Sequence, residues 1–270
     1  FVDWIWDTFF YYLNAFNIFL LTNVLGPMKQ AYLNMPVVST FVLFMGAGYI
    51  IGGIRSCLVV GSLILFIALS EYWDRTLITL YMATFAVGIS AFSGIIVGSL
   101  CAQNDFASKT ILSICDFFQT FPSFIYLIPV ILLFGITDTS VMIAAIAYAS
   151  VPATRYTVEG LRSVPSSLHD AGAMSGVSKI QRWRLIDLPL ALPHIMLGIN
   201  QTVIFALMMI VLGALIGTED LGQLIMGSLS RPNGAGIGFT LGIFISFICL
   251  AVDNLIRTWA DERKKMLGIE

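Results

Sequence analysis

Charge is what this chain has least of. Only 11% of its 270 residues are charged, where soluble domains carry about 25%, and 58% are hydrophobic. A chain so poor in charge cannot screen its apolar surface from water, which excludes an ordinary soluble domain. Its 14 basic and 16 acidic residues leave a net charge of -2, so it has no basic surplus for a nucleic-acid partner. Cysteine is as thin. Cys57, Cys101, Cys115 and Cys249 sit in or beside apolar runs with no CxxC spacing, which argues against a disulfide framework or a zinc site and for small buried hydrophobes. His169 and His194 bring no further ligands with them, so no metal site is expected. No GxxxxGK[ST] occurs, and Gly234, Gly236 and Gly238 do not form the dinucleotide fingerprint, so nothing in the chain cradles ATP phosphates. No Ser/His/Asp set, HExxH or carboxylate pair falls at membrane depth, so no catalytic residue and no cofactor is expected. A secondary transporter or channel would carry an intramembrane acid or base on a broken helix and an internal repeat. Neither stands out. Asp116 and Asp253 read as carboxylates near helix ends that reach water.

What fills the chain is a series of apolar runs. Residues 1–35 form an amphipathic segment in which Asp3, Asp7, Asn14 and Asn17 recur at helical spacing, which predicts a helix lying in the membrane surface rather than crossing it. Phe1 is not a methionine, which raises the expectation that further residues precede it, and no signal-peptide pattern is visible at the front. Residues 36–75 read as a transmembrane hairpin, with runs at 36–54 and 56–70 closed by Tyr72 and Trp73 among charges, where interface anchors are expected. Residues 76–254 form the core. Its spans are expected at 76–100, 117–136, 140–153, 195–216 and 237–252, and Gly94 and Gly98 stand at the spacing that lets helices pack closely. A polar, glycine-rich segment fills 217–236, and residues 255–270 are a charged tail. The fold class is thus an all-α polytopic membrane protein of about seven spanning helices plus an N-terminal interfacial helix.

One stretch breaks the apolar pattern. Within a loop spanning 155–194, Ser166 to Pro189 reads as helix, glycine elbow, helix, stop. Ser167 with Asp170 and Ser178 with Gln181 have capping-box spacing, and Gly176 stands where a left-handed residue closes the first helix. The second helix is expected to end at Leu188 and Pro189, since proline cannot continue a helix.

The spacing Asp170, Ala171, Gly172, three residues, Gly176, nine residues, Ile186, one residue, Leu188, Pro189 resembles the EAA loop of ABC-importer permeases, with Asp170 in place of Glu and Gly172 in place of the second Ala. The resemblance implies a coupling helix docked into an ATP-hydrolysing subunit. It gives a coupling set of Ser167, His169, Asp170, Ala171, Gly172, Ala173, Gly176, Ile186, Leu188 and Pro189. The segment Asp116 to Pro129 resembles the D-x-x-Q-T-x-P-x-F-x-Y-L-I-P stretch of glycine betaine, proline betaine and choline importer permeases. Asn200, Gln201, Thr202, the run 214–217, Leu221 and Gly222 resemble later segments of the same family. Together these cover roughly 73–253; earlier residues match only in hydropathy.

The family implies a type I ABC-importer permease fold that carries a quaternary-ammonium osmolyte by alternating access. The partners it implies are a second permease copy, ATP-binding-cassette subunits that hold ATP and Mg, an extracytoplasmic substrate-binding protein and membrane lipid. Importers of amino acids or sulfonates share the fold and are the alternative. Phe118, Gln119, Thr120, Phe121, Pro122, Phe124, Tyr126, Asn200 and Gln201 are then candidates for the translocation path. Aromatic faces attract a quaternary ammonium, although such rings also pack against helices or lipid. If the loop is cytoplasmic, eleven basic residues lie inside and only Lys29, Arg75 and Arg231 outside. That orientation predicts a multi-pass protein of the bacterial cytoplasmic (inner) membrane with a cytoplasmic C-terminus.

Overall fold

The structure, a computed structural model, describes residues 2–268, without the side chains of residues 2–7, 173 and 267. Asp3 and Asp7 of the polar stripe, and the Ala173 side chain, therefore lie outside the described residues. All the regular structure of the described residues is helical, with no strand among them.

The first helix, α1 (Val2–Phe19), continues through a π turn at Leu20–Leu25 into α2 (Gly26–Leu33). Thr8–Leu33 is long and apolar enough to cross a membrane, and 6% of its most apolar stretch is buried against the rest of the bundle. Asn17 donates to the Phe134 carbonyl at 3.2 Å, and twelve residues later Lys29 donates to Glu219 at 3.1 Å. Thr8–Leu33 thus stands among the candidate spans, where the polar stripe predicts a helix lying in the membrane surface.

Val37–Ala68, α3, is a hairpin. Non-helical angles at Gly52 and Gly53, the latter at φ 64°, turn the chain back on itself. A Cβ on Gly48 would lie 3.0 Å from the Cys57 Cα, and one on Gly61 would lie 3.1 Å from Met45. Residues 45 and 61 would stand about 24 Å apart in a straight helix. The returning arm packs along α12 (Ala235–Leu267), with Ser56 and Thr258 hydroxyls 3.3 Å apart and Phe66 edge-on to Phe244 and Phe247.

The core is built by α4 (Trp73–Cys101), α7 (Asp138–Arg162) and α10 (Leu188–Gly213), with α12 beside them. Tyr81, Met82, Met142, Leu207, Ile210 and Phe244 are buried there. Lipid tails are as apolar as these side chains, so close packing rather than transfer out of water holds the helices together. Gly94 and Gly98 show how. A Cβ on either would come within 2.5 Å of the Ala153 Cβ or 2.7 Å of the Thr157 Cβ, so α4 meets α7 almost backbone to backbone.

Between α4 and α7 the expected 117–136 span is not one helix. α5 (Asp105–Thr120), capped by Asn104, and the segment Ser123–Phe134, which holds α6 (Leu127–Phe134), are bent by 105°. The cause is Pro122, which forces Phe121 out of the helical region to ψ 136°. Six helices of the described set pass the length and apolarity test, or seven with this bent pair as one span. The polar segment 217–236 also contains a helix that its glycines concealed, α11 (Leu221–Leu229), capped by Asp220. Asp253 does not sit near a helix end, because α12 continues through the charged tail to Leu267.

At the bundle end beneath α1 and α2, polar groups tie the elements together. Arg75 donates to the Glu219 carbonyl at 2.8 Å, and the Tyr81 hydroxyl to Asp138 at 2.9 Å. The Leu221 amide donates to the Thr79 hydroxyl at 3.1 Å.

Candidate functional site

At the opposite end of the bundle, residues 163–187 leave it and return. α8 (Ser166–Met174) begins two residues earlier than the spacing suggests, so Ser167 lies inside its first turn and not at its cap. Gly176 has φ 70°, a left-handed conformation that closes this helix and aims the chain back. Ser178 and Gln181 form the expected capping box at the start of α9 (Lys179–Arg182). The stop at Pro189 does not occur. A π turn at Trp183–Asp187 carries the helix directly into α10, and the Leu188 amide reaches back to the Trp183 carbonyl. Pro189 then falls in the first turn of α10, where its ring is tolerated and the missing N–H leaves a carbonyl of the π turn without that donor.

The loop folds on itself through two contacts. The buried Gly172 faces Ile186, whose Cδ1 would stand 3.2 Å from an added Cβ, so the smaller residue admits the larger. Asp187, only 7% exposed, accepts from His169 Nε2 at 2.9 Å and lies 3.4 Å from Arg182 Nε. Leu168, Asp170, Ala171 and Met174 are exposed on α8, as are Ile180 on α9 and Leu185 in the π turn. Ala171, Gly172, Ile186 and Pro189 line a shallow apolar pocket of about 460 Å³, with Leu188 partly buried behind it. The described members of the sequence-derived coupling set thus come together on one small excursion.

The candidate path residues separate into groups. Gln119 and Gln201 meet across a cavity of about 610 Å³ lined also by Pro152, Arg155, Tyr156, Glu159 and Phe205. Arg155 is held there by Asp116 at 2.5 Å, Glu159 at 3.0 Å and the Gln119 carbonyl oxygen at 3.4 Å. From the cavity wall a row of rings runs through the buried Tyr148 to the exposed Phe118. Phe205 stacks on Tyr148 at 4.8 Å, Tyr148 meets Tyr126 at 5.2 Å, and Tyr126 meets Phe118 at 6.2 Å. Phe121 packs on Phe117 at 4.8 Å, Thr120 hydrogen-bonds the Phe117 carbonyl, Phe124 is exposed, and Pro122 makes the break. Asn200 lies elsewhere: it is buried between α10 and α12, donating to Asp253 at 2.5 Å, and Asp253 in turn accepts from Arg257 at 2.6 Å.

Sequence reading missed Arg155, Tyr156, Glu159, Phe205 and Asp187. The first three carry a signal in hindsight, since 152, 155, 156 and 159 fall on one helical face beside a carboxylate partner.

A polar cavity inside an apolar bundle and a two-helix excursion at one end define a polytopic membrane transport component. The chain belongs to the family described as binding-protein-dependent transport system inner membrane component, which matches residues 94–265. It is 63% identical over 268 residues to the trimethylamine N-oxide transport system permease protein TmoV of Pelagibacter ubique, covering 99% of this chain and 37% of that protein. It is 41% identical over 247 residues to the protein of the same name from Ruegeria pomeroyi, covering 91% of this chain and again 37% of the relative. The chain therefore spans little more than a third of the length of these two relatives. It is 30% identical over 266 residues to the glycine betaine transport system permease protein OpuAB of Bacillus subtilis, covering 98% of this chain and 93% of that one.

Proposed function

We propose that this chain is the permease part of an ATP-driven importer for a small trimethylammonium-type osmolyte, with trimethylamine N-oxide foremost and glycine betaine and choline as its chemical relatives. The observation that carries this reading is the meeting of Gln119 from α5 with Gln201 and Phe205 from α10 on one cavity, beside Tyr156 of α7. Ring faces suit the methylated ammonium, and amide donors suit the oxide or carboxylate at the other end of such a solute. Arg155 is already held by Asp116 and Glu159, so the cavity offers no free cation to repel an ammonium. The names borne by the relatives at 63% and 41% identity favour the N-oxide over the betaines.

In this reading the 163–187 excursion faces the cytoplasm with the C-terminus, which agrees with eleven basic residues on that side against three on the other. Its exposed apolar residues, Met174 at 90% and Leu185 at 71%, suit burial in a separate ATPase that holds ATP and Mg. A second permease copy closes the cavity, and an extracytoplasmic binding protein delivers the solute to the end beneath α1 and α2.

Uptake by the complete transporter in proteoliposomes tests the substrate. ATP-dependent import of trimethylamine N-oxide or a betaine is expected; import of methionine or sulfonates with betaines and the N-oxide refused would overturn the substrate class. Import without ATP would instead favour a secondary transporter. Labelling of a cysteine placed at Lys179 from outside intact cells would overturn the orientation.

A further inference from the structure

The proposed function leaves one buried charge without a task. Asp187 is the last residue of the π turn and is followed immediately by α10, the helix that carries Gln201 and Phe205 into the cavity. A carboxylate that is only 7% exposed survives through its partners, and the two it has come from two other elements. Oδ1 accepts from His169 on α8, and Oδ2 faces Arg182 on α9. The cavity behind them, of about 360 Å³, also admits Arg162 and Asp105, but these two pair with each other. The carboxylate therefore joins three elements at one point.

The second contact between α8 and the foot of α10 is apolar, Gly172 against Ile186. An apolar contact is non-directional and slides; a hydrogen bond to a carboxylate fixes both distance and orientation. The pair is also anchored in a π turn, where the helical backbone has one residue of slack and can change register more cheaply than in an α-helix.

We propose that Asp187 is a positioning residue for transport: it ties α8 through His169 to the foot of α10, so that displacement of α8 becomes displacement of the cavity wall. This rests on the docking of α8 to an ATPase set out above. Cutting the tie leaves α8 able to dock and the ATPase able to turn over, while solute movement no longer follows.

The test measures solute imported per ATP hydrolysed by the full complex carrying Asp187→Asn, His169→Ala or His169→Gln, together with melting temperature and co-purification of the ATPase. Loss of a buried charge-assisted hydrogen bond is expected to lower the ratio about tenfold in Asp187→Asn and His169→Ala. His169→Gln, which keeps a donor near Oδ1, restores most of it. Co-purification in Asp187→Asn stays near that of the unmutated complex, and the melting temperature of each variant falls by a few degrees while staying well above the assay temperature. An unchanged ratio in Asp187→Asn or His169→Ala overturns the proposal. So does a loss that merely tracks melting temperature, or one that glutamine does not restore. Failure of the docking reading itself shows separately, in the unmutated protein, as absence of a co-purifying ATPase.

Discussion

The Tyr126 hydroxyl donates to the Phe118 carbonyl at 2.6 Å, filling a vacancy that Pro122 creates. In an unbroken helix that carbonyl would accept from residue 122, and proline has no N–H to give. Only a long 3.4 Å bond from the Phe121 amide would otherwise satisfy it. Tyr126→Phe keeps the ring between Tyr148 and Phe118 but removes the donor. The expected loss is about 0.5–1.5 kcal/mol of stability, read as a lowered thermal midpoint in detergent. Solute selectivity should be unchanged.

Gly98→Leu should destabilise the bundle more than any substitution on its lipid-facing side. Even a Cβ there would lie 2.7 Å from the Thr157 Cβ and 2.8 Å from the Thr154 carbonyl, so α4 and α7 would have to separate. Overpacking of this kind costs about 1–3 kcal/mol, visible as reduced monodispersity and a lower melting temperature, whereas Gly88→Leu, with open space around its Cβ, should be near neutral.

Between 217 and 220 two adjacent carboxyls respond to pH in opposite senses. Burial pushes Asp220 up to about 7, although the Gln223 amide and the Thr218 hydroxyl donate to it. Glu219, beside Lys29, is held below its usual range. For Asp220 the folded protein holds the proton more tightly than the unfolded chain. Its stabilisation is thus complete below about pH 4 and is lost as pH rises towards 7. Asp220→Asn, which keeps the acceptor for Gln223, should flatten that fall. Glu219 works the other way, losing its contribution as pH falls, and remains in the variant. Melting curves of both proteins across pH 4 to 8 isolate the Asp220 part by difference.

Gly176→Val should strain the elbow, because its φ of 70° is a conformation that β-branched side chains avoid at a cost of about 1 kcal/mol or more. Ala171→Trp should leave the fold intact and obstruct the outer face of α8. Both are expected to give a folded chain with reduced uptake, measured beside ATPase assembly and ATP turnover. Normal uptake in both variants would show that the excursion is only a connector.

Much of this was legible in the residues. The double glycine at 52–53 lies where the two N-terminal apolar runs meet, and Gly176 and the Ser178–Gln181 box carry their own geometry. Pro189 misled because its effect depends on what precedes it: a π turn upstream changes which carbonyl is left without a partner. α11 was hidden by glycines that serve close packing, such as Gly222 against Val211, and not turns. The membrane cavity could be read only in half. Gln119 and Gln201 advertise themselves as amides among apolar residues, while Asn200, one position away, points to another helix and bonds Asp253. A rotation of 100° per residue separates those two outcomes, and no pattern of residue types fixes it without the neighbours.

The fold at Gly52–Gly53 also has a consequence for sidedness. A hairpin that enters and leaves at the same end adds an even number of passages, so it cannot change which face any later residue meets. The family match begins at residue 94, beyond both arms. Everything from α4 onward keeps its polarity whether the hairpin is present, shortened or removed as a unit, so the transport machinery that follows is not inverted by a change in the length of its arms.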